Sequence, residues 1–421
     1  MIFIQQGLAM NTVTRSILMA CATSALTLTT ACGASPQAPT APVTGDPVET
    51  RPPNNPDQKP ALEGQTRAPG MTTQGQMTHA VIASGLEHPW GLAALPDGRW
   101  LVTEKPGRLR IVTEKGEISA PISGLPQVDA KGQGGLLDVI LSPSFAQDRL
   151  IYFSYAQPRE GGNGTAVSRA RLSDDGTKLE NLQTVFQVAQ TYDGDKHYGS
   201  SLAFGPDGKL YITIGERSDK PKRPDAQNLG THHGKVIRIN ADGSVPADNP
   251  FVGRDGALPQ NFTYGHRNPQ GIAIQPGTGA VWTIEHGTRG GDELNLIKAG
   301  NNYGWPIAAY GIEYNGEAIP NAVTTVEGTV QPVYYWDPVI APGGMTFYTG
   351  TMFPEWNGNA LIGGLGGQHL VRLVIENDKV VGEERLLVGL GERIRDVAVG
   401  ADGAVWVITD EEDGKLVRLS R

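Results

Sequence analysis

From residue 91 onward the apolar positions of the chain recur as pairs of short runs separated by a turn built from Gly, Pro, Asp or Asn. The clearest pair is SLAFGPDGKLYITIGE at 201–216, where an apolar run, a turn at 206–208 and a second run ending at Ile214 predict strand, tight turn, strand. The same arrangement stands at GLAALPDGRWLVTE (91–104), LLDVILSPSFAQDRLIYFSY (136–155), GIAIQPGTGAVWTIE (271–285), GGMTFYTGTMFPEWNGNALIGG (343–364) and DVAVGADGAVWVITDE (396–411). No helical period separates the copies. Six strand-rich repeats of this size predict an all-β, six-bladed β-propeller, because each small sheet has apolar faces that only its neighbours can cover. The last copy runs into LVRLSR near the C-terminus, so the strand near 78–84 is expected to complete the final blade and close the ring. A β-sandwich would explain the alternating strands but not their sixfold recurrence.

Upstream of the repeats the pattern disappears. Residues 10–31 carry one early cation, Arg15, and then an apolar, small-residue run too short and too threonine-rich for a membrane-spanning helix; it reads as a secretory signal. Cys32 follows a small residue, and the stretch resembles a bacterial lipoprotein signal, with Thr29 where leucine is usual. On that reading 1–32 is a signal peptide and the acylated Cys32 is the mature N-terminus; a non-lipidated signal peptide is the plainer alternative. Residues 33–76 are rich in Pro, Thr, Ala and Gln and read as a disordered linker that lifts a folded domain, 77–421, off the membrane. The domain is therefore expected in the periplasm, touching the membrane only through its anchor. Cys21 and Cys32 are the only cysteines, so the exported domain has no disulfide.

Composition changes this picture little. The 55 glycines and 30 prolines fit a turn-rich chain, and a formal net charge of −9 argues against nucleic acid or an anionic membrane surface as partner. Any anion site must concentrate its cations locally. In a propeller the loop entering the first strand of each unit lands on one face, around the central channel. Ahead of the repeats stand His88, Gln133, His197, Arg267 with Asn268, Ala341 with Pro342, and Arg393 with Arg395. A single polar residue before a strand is most often a loop hydrogen-bonder. Seven at equivalent repeat positions point instead to one pocket.

Three converging arginines specify an anionic ligand with several carboxylates, since guanidinium binds planar carboxylates through paired donors. His197 suggests a general base, with Glu216 at the far end of the same unit to orient its ring; Glu216 could as readily be a surface carboxylate. The loop 285–306, EHGTRGGDELNLIKAGNNYGWP, combines glycines, Asp292, Glu293 and backbone carbonyls, which suits calcium or simply a Gly-rich turn capped by Asn and Asp. No His/Cys spacing for zinc is present in the sequence.

GQGGLLDV, the His197 unit, YGHRNPQGIAIQP, EHGTRGGDELNLIKAGNNYGWP and ERIRDVAV occur in this order. Together they resemble the soluble quinoprotein glucose dehydrogenase family, in particular its periplasmic bacterial branch, the aldose sugar dehydrogenases. The resemblance implies pyrroloquinoline quinone (PQQ) held with calcium over the channel mouth, and a sugar substrate whose electrons pass to an external acceptor, a quinone or a cytochrome. It implies that His197 takes the proton of the sugar C1 hydroxyl while hydride passes to the quinone, and that Gln133 contacts substrate and cofactor. Arg267 and Asn268 would bind the quinone oxygens, and Arg393 and Arg395 the PQQ carboxylates. The carbonyls of Gly287 and Thr288 would ligate the cofactor's calcium, while Glu293 and the Tyr303 carbonyl match a second, structural calcium site. The chain departs from the family pattern at Gly366, where a carboxylate-binding lysine is usual, at Lys196 and at Glu216. Two rivals remain open on sequence: a calcium-dependent propeller lactonase or hydrolase, and a non-enzymatic binding lipoprotein that kept the fold.

Overall fold

The computed structural model describes residues 43–421; the expected signal peptide, Cys32 and the first part of the linker lie outside the described residues. Each sequence repeat supplies the first two strands of one antiparallel sheet, and six such sheets form the six blades of a propeller. Blade 1 comprises Pro89–Ala94, Trp100–Glu104 and Arg108–Val112, and the other blades begin at Leu136, Leu202, Pro269, Pro342 and Ile394. Blade 1 has three strands, while blades 2, 3, 4 and 6 have four. The innermost strands contact one another in cyclic order, and that of blade 6 contacts that of blade 1. Closure is as the sequence predicts: Thr78–Leu86 pairs antiparallel with the C-terminal strand Gly414–Ser420, so chain start and chain end share blade 6.

The period-2 pattern of the strands separates one neighbouring blade from the other rather than core from solvent. In blade 6, Val405 and Val407 pack toward blade 5, whereas Trp406 and Ile408 pack toward blade 1. In blade 1, Trp100 and Val102 face back to blade 6, where Trp100 meets Trp406 with ring centroids 5.0 Å apart, and Leu101 faces blade 2. Both faces of such a strand are buried, which is why the runs read as almost continuously apolar.

Apolar faces alone would let blades slide, and polar bonds near the channel fix their positions. Thr103, Ser154 and Thr213 sit at equivalent places in the second strands of blades 1, 2 and 3. Each hydroxyl accepts an N–H from its own first strand, Gly91, Asp138 and Ser201 respectively. Each then donates to a carbonyl of the next blade, those of Leu137, Ser200 and Pro269. Carboxylates do the same work elsewhere: Asp292 accepts from Ile340 and Ala341 of blade 5, and Asp396 accepts from Leu92 of blade 1. Between blades 5 and 6 the approach is so close that a Cβ on Gly343 would lie 2.2 Å from the Arg395 carbonyl oxygen.

The linker expectation needs correcting. Residues 43–76 run as an ordered strap against blades 4 and 5 rather than as a disordered tether over their described length. Val43–Gly45 pairs with Gly70–Thr72, which in turn lies parallel to the outer strand Lys379–Leu386 of blade 5. Thr73 donates its N–H and hydroxyl to Glu384, and Ala68 donates its N–H to the Tyr334 hydroxyl. The Arg67 guanidinium donates to the carbonyls of Glu49, Arg51 and Asp337. A strap held by polar side chains and backbone groups has no aliphatic period, so its composition resembles that of a tether.

Replacing Thr213 by Val keeps the shape but leaves the Ser201 N–H and Pro269 carbonyl without their buried partner, and is expected to cost about 1–3 kcal/mol. Urea unfolding of the variant beside the parent checks it; an unchanged midpoint would mean that the hydroxyl does not hold blades 3 and 4 together.

Candidate active site

A cavity of ≈ 220 Å³ opens at the channel mouth and takes residues from all six blades. Gln133, His197, Arg267, Asn268, Arg393 and Arg395 all line it, so the structure brings together six of the seven polar residues that precede the repeats. His88 is the exception: its Nδ1 lies 3.0 Å from Asp410 Oδ1, and it does not line the cavity. Trp90, Lys105, Gln270, His286, Tyr314 and Asp410, none of them among those seven, also line the cavity. Three of these, Lys105, His286 and Asp410, directly follow a second strand. A second strand runs antiparallel to the first, so its exit returns to the face from which the first strand entered.

His197 reaches the cavity through a backbone kink. Its φ is +51°, and residues entering blades 1 and 5, His88 and Ala341, also have positive φ, +45° and +50°. For a residue with a Cβ this region costs about 1 kcal/mol. Behind His197, Gly215 lacks the Cβ that would fall 2.3 Å from the His197 carbonyl oxygen, so the end of the second strand closes on the kink. The His197 N–H donates to Gln133 Oε1 at 2.8 Å. The Asn268 side-chain oxygen accepts from the Gly199 N–H at 3.0 Å.

Glu216 is fully buried, with Oε2 3.2 Å from His197 Nδ1. The separation is that of an ion pair, but the alignment misses a hydrogen bond, and Nδ1 is left without a bonding partner. Glu216 is thus a buried partner of the histidine and not a surface carboxylate. Burial pushes the His197 pKa below 6.5, and the charge of Glu216 offsets only part of that. The imidazole is therefore neutral at neutral pH and able to accept a proton. Burial opposes ionisation of Glu216 too, yet His197 and Arg267 outweigh it and hold the carboxyl below its usual range.

The cavity wall carries four cationic side chains, Lys105, Arg267, Arg393 and Arg395, and one carboxylate, Asp410. Arg267 lies over the Trp305 ring at 5.2 Å and donates to the His286 carbonyl. Arg395 lies over Trp90 at 5.6 Å, donating to Gln270 and to Asp410. The Nε atoms of Arg267 and Arg395 are buried without a partner. Burial raises the Asp410 pKa, but the adjacent Arg395 reverses this and keeps the carboxyl ionised. His286 is held neutral by burial and by the nearby Arg267 and Arg395, and its Nε2 meets Gln270 Oε1 at 2.8 Å.

A second, much smaller cavity of ≈ 10 Å³, the size of a single water or ion, lies alongside and shares Arg267 and His286 with the first. Gly287, Glu293 and Tyr303 line it together with Glu285, whereas Thr288 lines neither cavity. Burial, followed by the charge of Glu285, raises the Glu293 pKa well above its usual value. Gly287 lies in a tight coil where an added Cβ would fall 2.3 Å from the Gly291 carbonyl carbon. Asp292 takes a different part: both its oxygens accept backbone N–H groups, from Gly287 and from blade 5, so it serves as a clamp between blades.

The channel mouth of this propeller is thus a cationic cavity holding a neutral, carboxylate-backed histidine. The chain matches the family model described as Glucose / Sorbosone dehydrogenase over residues 86–418. It is 45% identical to the aldose sugar dehydrogenase YliI of Escherichia coli (strain K12) over 81% of this chain and 92% of that protein. A crystal structure of glucose dehydrogenase aligns with a TM-score of 0.79 at 49% identity, covering 81% of this chain and 99% of that one. The aldose sugar dehydrogenase of Streptomyces coelicolor, solved in its PQQ-bound form, aligns at 0.68 with 29% identity over 83% and 99% of the two chains. The chain belongs to the glucose / sorbosone dehydrogenase family and is an oxidoreductase of that family.

If Glu216 supports the His197 cation, Glu216→Gln must move the ring's midpoint further below 6.5, since the offsetting charge is lost while burial remains. A histidine NMR titration of the two proteins checks the direction; an unchanged or raised midpoint would contradict this pairing.

Proposed function

We propose that this protein oxidises aldose sugars at C1 to the lactone with PQQ and calcium, passing the electrons to an external quinone or cytochrome. The observation that carries the reading is the convergence of Arg267, Arg393 and Arg395 with a neutral His197 in one cavity. The donor set fits PQQ. Several guanidiniums, two with a buried unpartnered Nε, suit a planar ligand with several carboxylates, and an amide and an arginine on blade 4 suit its quinone oxygens.

When bound, PQQ supplies the two-electron acceptor for the sugar's hydride. The chain's residues do the rest. His197, neutral and kinked toward the cavity, accepts the C1 hydroxyl proton; Glu216 stabilises the resulting imidazolium. Gln133 holds the kink through the His197 N–H, and its remaining amide donors are available to substrate and cofactor. Arg267 and Asn268 hold the quinone end, with Arg267 stabilising developing negative charge, and Arg393 and Arg395 hold the carboxylates.

The second cavity fits a hard cation. Glu293 beside Glu285 is a like-charge buried pair that a divalent ion would relieve, with the Tyr303 carbonyl as a further oxygen ligand. Gly287 lies nearer this cavity than the resemblance implies. We propose it, with Thr288, for the cofactor's calcium from the resemblance alone, since Gly287 lines the smaller cavity and Thr288 neither. Among the described residues no helix is long and apolar enough to cross a membrane; export by the N-terminal signal and anchoring through Cys32 complete the proposal.

His197→Ala should reduce turnover by about 10²–10⁴ while PQQ stays bound, and Arg395→Ala should weaken PQQ binding about tenfold or more. Dye reduction with aldoses, run beside a PQQ titration, separates the two; loss of PQQ from the His197 variant would make that residue a cofactor anchor instead. Calcium should raise the melting temperature of the parent and not of Glu293→Gln. The rise should be larger at pH 8 than at pH 5, because a carboxyl with a raised pKa must release its proton before binding the ion. Equal stabilisation of both proteins would remove Glu293 from the ion site.

A further inference from the structure

We propose that Lys105, at the exit of the second strand of blade 1, is a third cationic contact for the carboxylates of the bound cofactor, continuing onto blade 1 the cationic wall that blade 6 begins. This assignment rests on the PQQ reading above and names a residue that neither the family motifs nor the sequence pattern singled out.

Lys105 lines the cavity beside Arg393, Arg395 and Asp410. Asp410 is the only carboxylate on that wall, and it is already shared: Arg395 lies 2.5 Å from it, His88 3.0 Å and Arg393 3.9 Å. Among the described residues no carboxylate lies within 4.0 Å of the Lys105 ammonium. Its one protein acceptor there is the Gly132 carbonyl at 2.8 Å, so two of three N–H donors remain for a ligand. Burial and the repulsion of Arg395 and Arg393 both disfavour the charged ammonium, with Asp410 opposing them in part. An unpaired cation facing two guanidiniums is unfavourable without a ligand, and an anion with more than one carboxylate relieves it.

The wall on the other side of blade 6 offers no substitute. Blade 5 presents Leu365 and Ala341 to the cavity, and Gly366 has no side chain; a Cβ there would lie 3.0 Å from that of Ala341. Cationic recognition is therefore concentrated on blades 6 and 1, with Arg267 alone on blade 4. The Gly132 bond also places Lys105 next to Gln133, whose side chain holds the His197 N–H. A merely structural role for Lys105 would act through that loop, and the test must separate the two.

Apo-protein in calcium-containing buffer is titrated with PQQ and, separately, with PQQ trimethyl ester, reading quenching of tryptophan fluorescence. The proteins are the parent, Lys105→Ala and Lys105→Arg, with the melting temperature of each apo-protein as a folding control. Lys105→Ala is expected to weaken PQQ binding about tenfold or more, the loss typical of one charge-assisted bond, and to leave ester binding unchanged. Lys105→Arg should restore most of the affinity. Equal affinity of Lys105→Ala and the parent for PQQ would overturn the assignment. So would equal losses for acid and ester, because Lys105 would then act through loop shape rather than through a carboxylate. If the parent itself shows no PQQ quenching, the cofactor reading falls, and this assignment with it.

Discussion

Contact between neighbouring blades is the constraint on which the rest of this molecule depends. A strand such as Val405–Thr409 has apolar side chains on both faces and no solvent side, so it is stable only when a blade stands on either hand. Hydrophobic burial is non-directional and sets no register. Direction comes from a few buried hydroxyls and carboxylates, with Thr103, Ser154 and Thr213 repeating one bond pattern around half the ring. At blade 4 the pattern lapses, since the equivalent position is Ile284, which has no hydroxyl, and Asp292 takes over the link to blade 5.

That register is what turns six loops into one site. The kinked entries at blades 1, 3 and 5 and the strand exits at blades 1, 4 and 6 all open on the same face, so small side-chain motifs scattered over the chain converge within one cavity. The convergence is electrostatically costly by itself. Four cations face one carboxylate in the larger cavity, and two carboxylates lie close together in the smaller one. The two imbalances have opposite signs. His197 stays neutral between them because burial outweighs Glu216.

Blade 5 shows the same economy at the periphery. Its outer strand would be a free edge, but the strap at 43–76 covers it, and Glu383 and Glu384 of that strand are satisfied by Tyr334, Trp336, Arg372 and Thr73. The strap brings only a few apolar residues, Ala68 and Met71 among them, into the core. Its hold is a sum of hydrogen bonds to particular acceptors, and no local pattern in the strap specifies where those acceptors lie.

The sequence by itself determined the six repeats, their closure by the strand near 78–84, and most of the ring of residues entering the blades. These are properties of spacing and alternation, which a chain carries locally. The pairing of His197 with Glu216 was also legible, because both ends of one repeat unit return to the same face. Only the tertiary structure decided that Lys105, His286 and Asp410 join the site, that His88 pairs with Asp410 and does not line the cavity, that Asp292 clamps two blades, and that 43–76 is a strap. Each of those outcomes depends on which groups from distant parts of the chain meet, at distances of a few ångströms, once the blades have closed. The strand-turn-strand pattern declared the scaffold, while the charges became a site only where the scaffold brought them together.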